Sequence, residues 1–184
     1  MGRQVLLLGN PKLRMISGTV SDFGTREFSS DLRDLKEALE TFRAKNGFGR
    51  GIAAVQIGIE KRMIALNLGR GTFVIVNPRI LEKSGKTFTM WDDCMSFPDL
   101  LVRVSRHESI VVEYQDERGG RALWQDPGRA ESELLQHEID HLDGTLALDR
   151  AIEKTDIVYR REFENNREYY EKMADYVIAP TIGS

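Results

Sequence analysis

Residues 134–144 have the sequence LLQHEIDHLDG and carry two of the three histidines of the chain. His137 and His141 are four residues apart, so an α-helix places both imidazoles on one face, about one turn from each other. A glutamate directly after the first histidine completes a pattern typical of helices that bind a divalent metal ion. In such sites the glutamate, here Glu138, is not a ligand but exchanges protons with water at the metal. A site of this kind still needs a third ligand.

Four residues are candidates for the third ligand, and exclusion favours the one cysteine. A histidine at position 147 would complete a longer metal-binding motif, but that residue is an alanine. Glu162 and Glu164 lie in a charged segment that is expected to be exposed, and His107 is expected at an exposed strand edge. Cys94 lies in WDDCMSFPD, which indicates a loop, where a thiolate is held best by a metal or a positive partner. Cys94 is therefore the favoured third ligand, with water in the fourth position.

The length and composition predict one compact domain spanning residues 1–184. The chain has 184 residues, of which 41% are hydrophobic, enough for a single core. Its net charge of −3 gives no indication of a basic surface, so nucleic acid is not expected as a direct partner. A single cysteine excludes an internal disulfide, and the apolar run at residues 5–8 is too short for a signal or membrane segment. These features predict a cytoplasmic protein that does not bind membranes.

The hydrophobic patterning predicts an α+β fold in which antiparallel strands pack around one central metal-binding helix. Apolar residues at spacings of three and four predict a helix over residues 30–46 with a serine cap. The pair Asp126-Pro127 predicts the start of the helix that carries the two histidines. An additional C-terminal helix is predicted at roughly residues 155–175. Short connections favour antiparallel strands, which are predicted at residues 62–68, 72–76, 109–114 and 121–125.

Three segments of the chain resemble motifs of the peptide deformylase family. The segment GRGIAAVQIG (49–58) is similar to a glycine-rich loop of that family, and DCMSFPD (93–99) is similar to its cysteine segment. QHEIDHLDG (136–144) resembles the metal-binding helix of the family at every defined position. GNPKLRMIS (9–17) also resembles the N-terminal strand and turn of the family. The resemblance covers roughly residues 4–150, and three motifs in the same order are much more specific than the histidine pair alone.

The resemblance implies a metal-dependent hydrolase that removes the formyl group from the N-terminal formylmethionine of nascent polypeptides. Cys94, His137 and His141 would bind one divalent ion, typically ferrous iron in this family, with zinc, nickel or cobalt able to replace it. Water activated at the metal would attack the formyl carbon, and Glu138 would carry its proton to the leaving amine. The products would be formate and a free amino terminus, and a transient association with the ribosome would follow from the family role.

The same resemblance implies roles for three further residues. The Gln56 side-chain amide and the Met95 backbone N–H would stabilise the oxyanion. Gly51 would keep the backbone open beside the substrate, where any Cβ would crowd it. A further hypothesis is an ion pair between Asp140 on the histidine helix and Arg106, with an exposed, unpaired acid as an equal alternative.

The chain departs from the family pattern near the expected substrate pocket. Arg50 and Glu133 stand where the family has aliphatic pocket residues. Each alone has an ordinary explanation, since an arginine can extend to solvent and an acid is favoured near a helix start. Together they predict an ion pair that narrows or closes the pocket, and hence a smaller or more polar formylated substrate. The other departures are Asp92, Asp93 and Leu101, together with the mild change at Val55.

Two alternatives to the deformylase interpretation stay open at this stage. One is a related amidohydrolase that acts on a different N-formyl or N-acyl substrate, which the altered pocket favours. The other is a non-catalytic protein that retains the metal for structure. A closed site with four protein ligands would favour the structural role, whereas Glu138 and Gln56 argue against it, because a structural site uses neither.

Overall fold

The computed structural model describes residues 3–178, in which the strands form two antiparallel sheets. The strands are β1 Gly51–Ala53, β2 Met63–Asn67, β3 Thr72–Lys83, β4 Thr87–Asp93, β5 Leu100–His107, β6 Ile110–Gln115, β7 Arg121–Gln125 and β8 Ile157–Tyr159. The α-helices are α1 Arg26–Asn46, α2 Arg129–Leu142, α3 Arg160–Asn165 and α4 Arg167–Glu171. The larger sheet has the order β1-β2-β3-β6-β7 and the smaller one has the order β4-β5-β8. All pairs of these strands are antiparallel, so the predicted α+β class is confirmed.

Helix α2 packs between the two sheets. Leu135, Ile139 and Leu142 of α2 pack in one apolar cluster with residues of β1, β2, β3 and β6. The helix also contacts β5 of the smaller sheet. Helix α1 covers another part of the larger sheet through a cluster that includes Leu35 and Leu39. The segment that carries the two histidines is therefore enclosed by strands of both sheets. Within residues 3–178, no helix is long and apolar enough to cross a membrane.

Two predicted helix starts are wrong, because local hydrogen bonds place the first turns elsewhere. Helix α1 begins one turn earlier than predicted, and the Thr25 hydroxyl accepts a hydrogen bond from the Phe28 N–H at 3.1 Å. The Phe28 ring is buried, so this first turn already belongs to the packed face of the helix. Helix α2 begins at Arg129 rather than after Asp126, which has a positive φ of 46°. The Asp126 carboxylate instead accepts a hydrogen bond from the Ser109 hydroxyl at 2.6 Å.

The predicted C-terminal helix at roughly residues 155–175 is confirmed only in part, since this segment begins with β8 and its helical part is divided into α3 and α4. The β-branched residues Ile157 and Val158 favour an extended strand, and β8 pairs with the first residues of β5. The helical part is interrupted at Asn166, whose φ of −128° is not helical. Phe163 is buried, so the segment is not exposed on every face as its charge suggested.

Replacing Phe163 by alanine is expected to lower the free energy of unfolding by about 3 kcal/mol. The Phe163 ring lies against Trp91 of β4, with the two centroids 5.7 Å apart, and stacks on Tyr170 at 5.4 Å. The truncated side chain would leave a cavity between α3 and the smaller sheet. Denaturant unfolding measures the change. Tyr169→Ala, at an exposed ring, is the control, with an expected loss below about 1 kcal/mol. Equal losses in the two variants would contradict the packing role of Phe163.

Candidate metal centre and active site

Three potential metal-ligand atoms converge between the two sheets. Cys94 directly follows β4, and His137 and His141 lie on one face of α2. The Cys94 Sγ lies 3.2 Å from His141 Nε2, which in turn lies 3.2 Å from His137 Nε2. All three residues are buried, and their ligand atoms lie within 4.8 Å of one another. The other candidates for the third ligand lie outside this group, namely His107, Glu162 and Glu164.

The donor atoms fit a divalent metal ion. Atoms bound to one zinc-sized ion at about 2.0 to 2.3 Å with tetrahedral angles lie about 3.3 to 3.6 Å apart, close to the observed spacing. His137 Nδ1 lies 2.9 Å from Asp92 Oδ2, which favours a proton on Nδ1 and makes Nε2 the nitrogen that faces the other two ligand atoms. Lone pairs that face one another in a buried space are stabilised by a shared cation. A thiolate with two imidazoles suits iron, zinc, nickel or cobalt, so the donor chemistry does not select one of them.

Burial and the neighbouring Asp92 shift the pKa values of these three groups in different directions. It raises the pKa of the Cys94 thiol and lowers the pKa of His141 well below its ordinary value, because each charged form loses hydration. Burial alone would also lower the pKa of His137, but the Asp92 carboxylate raises it well above its ordinary value. His137 and His141 therefore differ in their electrostatic surroundings, although they lie one turn apart on the same helix.

A buried charge network supports His137 on the side away from Cys94. Asp92 accepts a hydrogen bond from Arg106 Nη2 at 3.0 Å, and Arg106 Nη1 donates to Asp140 Oδ2 at 2.6 Å. Burial alone would raise the pKa of Asp92, but His137 and Arg106 together hold it below its ordinary value. The hypothesised pair between Asp140 and Arg106 is therefore confirmed. The network holds the Asp92 carboxylate in place, and this carboxylate fixes the orientation of the His137 imidazole.

Glu138 is buried beside the three ligand atoms and lines the cleft that leads to them. Burial raises the pKa of its carboxyl to about 7, although the neighbouring His137 opposes this shift. Among residues 3–178, no hydrogen-bond partner is found for its Oε2 atom. Gly51 of β1 lies against the same side chain, because a Cβ added there would come within 2.9 Å of Glu138 Oε1. One oxygen of the Glu138 carboxyl group is therefore available for a hydrogen bond, and the space beside the group is narrow.

Two hydrogen-bond donors lie close to Cys94. Gln56 is in a 3₁₀ turn after β1, and its Oε1 accepts from the Ala53 N–H at 2.8 Å. This contact directs the Gln56 Nε2 group toward the Ser96 hydroxyl at 3.2 Å and the Cys94 Sγ at 3.5 Å. The Met95 backbone N–H has no acceptor within the described part of the chain. Both groups are therefore positioned to donate to a negatively charged oxygen near the three ligand atoms.

Arg50 and Glu133 form the predicted ion pair in the same cleft. Arg50 Nη2 donates to Glu133 Oε1, and Arg50 Nη1 donates to the Ala130 carbonyl at 2.8 Å. The side chains are 10% and 1% exposed, and both residues line a cleft of about 250 Å³. Burial raises the pKa of Glu133 to about 7 against the opposing effect of Arg50. Burial alone would lower the pKa of Arg50, but Glu133 raises it above its ordinary value. A charged pair therefore occupies part of the cleft wall.

The C-terminal segment forms another part of this wall, which was not predicted from the sequence. Arg160 donates to Asp93 Oδ2 at 2.9 Å and to the Pro98 carbonyl at 2.7 Å, on either side of the Cys94 turn. Its guanidinium also lies 4.8 Å from the centroid of the Phe48 ring. The aromatic residues in an otherwise charged segment were the one sequence signal for this packing. The C-terminal residues that line the cleft are Arg160, Phe163, Glu164, Arg167, Glu171, Tyr176, Val177 and Ile178.

Comparison with known proteins identifies the family to which this sequence and fold belong. Residues 3–156 match the family model described as polypeptide deformylase. The chain belongs to the polypeptide deformylase family. The peptide deformylase of Dictyoglomus thermophilum is 35% identical over 157 residues, which cover 84% of this chain and 96% of that relative. The peptide deformylase of Thermotoga maritima is 31% identical over 160 residues, which cover 86% of this chain and 93% of that relative.

Solved deformylase structures resemble this one over most of its length. The crystal structure of the Thermotoga maritima peptide deformylase has a TM-score of 0.75 and 30% identity, covering 83% of this chain and 99% of that chain. The Legionella pneumophila peptide deformylase has a TM-score of 0.76 and 27% identity, covering 94% of this chain and 97% of that chain. The Synechococcus elongatus peptide deformylase, solved in complex with actinonin, has a TM-score of 0.73 and 28% identity. The enzyme class predicted from the sequence, a peptide deformylase, is confirmed by these comparisons.

Replacing Gly51 by alanine is expected to lower the kcat/KM of this deformylase by about ten- to a hundredfold. The new methyl group would meet Glu138 Oε1 at 2.9 Å and Glu138 Cγ at 3.0 Å, so the carboxyl group must move. Initial rates of formate release measure the loss. Gly85→Ala is the matched control, because a Cβ at that glycine meets nothing within 4 Å. Unchanged kcat/KM in G51A would mean that the position of Glu138 does not matter for activity.

Proposed function

We propose that the protein hydrolyses the N-formyl group of peptides that begin with formylmethionine, at the cleft that contains Cys94, His137, His141 and Glu138. The supporting observation is a buried thiol and two imidazoles that converge beside a buried carboxyl group. The thiol and the imidazoles would hold one divalent ion, ferrous iron by resemblance to the family. When bound, this ion supplies Lewis-acid activation of water and of the formyl carbonyl.

Glu138 moves the proton in this proposal. Its carboxylate accepts a proton from the attacking water as the new C–O bond forms at the formyl carbon. It then delivers that proton to the amide nitrogen as the C–N bond breaks, so the products are formate and a free amine. The buried position of Glu138 supports this role, as does its Oε2 atom, for which residues 3–178 provide no hydrogen-bond partner.

Gln56 and Met95 stabilise the negative charge that develops on the formyl oxygen. The Gln56 Nε2 group and the Met95 backbone N–H are held before substrate arrives, so no reorganisation is needed during the reaction. The contact between the Ala53 N–H and Gln56 Oε1 at 2.8 Å supports the assignment of the Gln56 donor. In this proposal Gly51 keeps the backbone open to the substrate, and it also makes room for Glu138, since a Cβ there would come within 2.9 Å of Glu138 Oε1.

A catalytic site is favoured over a structural metal site. Within residues 3–178, the candidate ligand group contains three residues, Cys94, His137 and His141, and no fourth. Three protein ligands are typical of catalytic zinc-type sites, where the remaining position is open to water or substrate. The same proposal includes nascent chains as substrates, a cytoplasmic location and a transient association with the ribosome. Co-sedimentation with ribosomes tests the last of these separately.

Formate release from formyl-Met-Ala tests the proposal directly. The protein is purified without oxygen, with iron or nickel supplied, and its metal content is measured before the assay. We expect formate and free Met-Ala in equal amounts. We expect no hydrolysis of acetyl-Met-Ala, because its extra methyl group would have to fit beside Glu138, where a Cβ on Gly51 would already lie within 2.9 Å of Oε1. Full metal content without formate from formyl-Met-Ala would overturn the proposed substrate.

A further inference from the structure

We infer that Arg50, Glu133 and Tyr176 determine which first residue the enzyme accepts, and that they admit formylated residues with a neutral hydrogen-bonding side chain. This inference rests on the proposed function, because it concerns the same cleft and the same reaction. It extends the substrate range from formylmethionine to peptides that begin, for example, with formylglutamine.

The ion pair lies next to the groups that would flank the reacting amide. Arg50 directly precedes Gly51, and a Cβ on that glycine would lie 2.9 Å from Glu138 Oε1. Glu133 lies one turn before His137 on α2. Both members of the pair line the cleft that holds Glu138 and Cys94. The first side chain of a substrate with its formyl group at Glu138 must therefore lie beside the pair.

The chemistry of the pair favours a polar neutral side chain. Arg50 uses one Nη group for Glu133 and the other for the Ala130 carbonyl, which leaves further N–H groups of the guanidinium available. An apolar side chain covering them would displace water and return no hydrogen bond. A charged side chain would add an unpaired charge to a pair that is already neutral. An amide or hydroxyl group replaces the displaced water and adds no charge.

Tyr176 adds a third polar group from the C-terminal wall. Its ring packs edge-on against Phe88, with centroids 5.4 Å apart, and its backbone forms a β-bridge with Met90. Tyr176 lines the same cleft as Arg50 and Glu133. The hydroxyl has no hydrogen-bond partner within residues 3–178, so it is available to a substrate side chain. Tyr176 also lies beyond residue 156, where the match to the family model ends.

The test compares formyl-Gln-Ala with formyl-Met-Ala, because the two first side chains have similar length and differ in polarity. The measured quantity is the ratio of the two kcat/KM values, glutamine over methionine, for metal-loaded enzyme. The double variant Arg50→Leu with Glu133→Leu removes both charges together, which avoids leaving one of them buried and unpaired. We expect this variant to lower the ratio by about tenfold or more. The control double variant Arg79→Leu with Glu113→Leu removes an exposed ion pair and leaves the ratio unchanged.

A second variant covers the case in which the double variant does not fold. Tyr176→Phe keeps the ring against Phe88 and removes only the hydroxyl, so it is expected to lower the ratio about threefold. An unchanged ratio in Tyr176→Phe or in the folded double variant, with formyl-Met-Ala still hydrolysed, would overturn this inference alone. The absence of formate from every formyl peptide with metal-loaded wild type would overturn the proposed function and the inference with it.

Discussion

Replacing Glu138 by glutamine is expected to lower kcat/KM for formyl-Met-Ala about a thousandfold while the metal content stays the same. Glutamine has nearly the same shape, so it fits the buried position against Gly51 and leaves the three ligand residues in place. It cannot accept the proton of the attacking water, so the nucleophile is not activated by the protein. It also cannot return a proton to the amine, so bond cleavage loses its general acid.

Two measurements on the same preparation separate this effect from damage to the site. Metal analysis reports whether the ligand group is intact, and initial rates of formate release report the chemistry. Glu131→Gln is the matched control, because Glu131 lies in the first turn of the same helix and does not line the cleft. A Glu138→Gln enzyme that keeps a tenth or more of the wild-type kcat/KM would contradict the role of Glu138 as the proton carrier.

Replacing Cys94 by alanine is expected to weaken metal binding more than about a hundredfold and to abolish formate release. The thiolate is the one negatively charged member of the ligand group. Without it, two neutral imidazoles leave the positive charge of a bound metal ion less neutralised. The loss therefore exceeds the roughly 10- to 100-fold effect that is typical for residues which only orient a ligand. Cys94→Ser keeps an oxygen donor in the same place, so we expect weak binding with partial recovery of activity.

Equilibrium dialysis against zinc or cobalt measures this loss without relying on activity. Circular dichroism of the same samples shows whether the fold persists, and Ser105→Ala, at an exposed position of β5, is the control. A folded Cys94→Ala protein that binds one equivalent of metal as tightly as wild type would show that the thiolate is not a ligand. His107 or an acidic residue would then have to be reconsidered.

The ligand group could be predicted from the sequence because helical spacing and exclusion constrain it strongly. His137 and His141 lie one turn apart on any regular helix, so their common face follows from local geometry. Cys94 followed from exclusion and from the family resemblance rather than from local pattern. The contact between Arg50 and Glu133 was also predicted, since both replace apolar residues of the resembling family at positions expected to face one pocket.

The parts that could not be predicted depend on contacts between distant segments. Strands β4 and β5 were missed, because buried charged residues such as Asp92 and Arg106 interrupt their apolar pattern. These two residues are tolerated in the sheet because they pair with each other at 3.0 Å. The C-terminal segment was assigned to one helix, since nothing local indicates that Phe163 packs on Trp91 of a strand far away in the sequence. Packing between distant segments therefore determines both the strands β4 and β5 and the structure of the C-terminal segment.

X-ray absorption at the metal edge of cobalt- or zinc-loaded protein tests the central claim most directly. The claim is that one divalent ion is held by a single thiolate and two imidazoles, with the remaining position open. The account predicts one sulfur and two imidazole nitrogens around one ion per chain, with a non-protein oxygen as the further ligand, and the same result in Glu138→Gln. A first coordination sphere without sulfur, or one closed by a fourth protein ligand, would contradict the account.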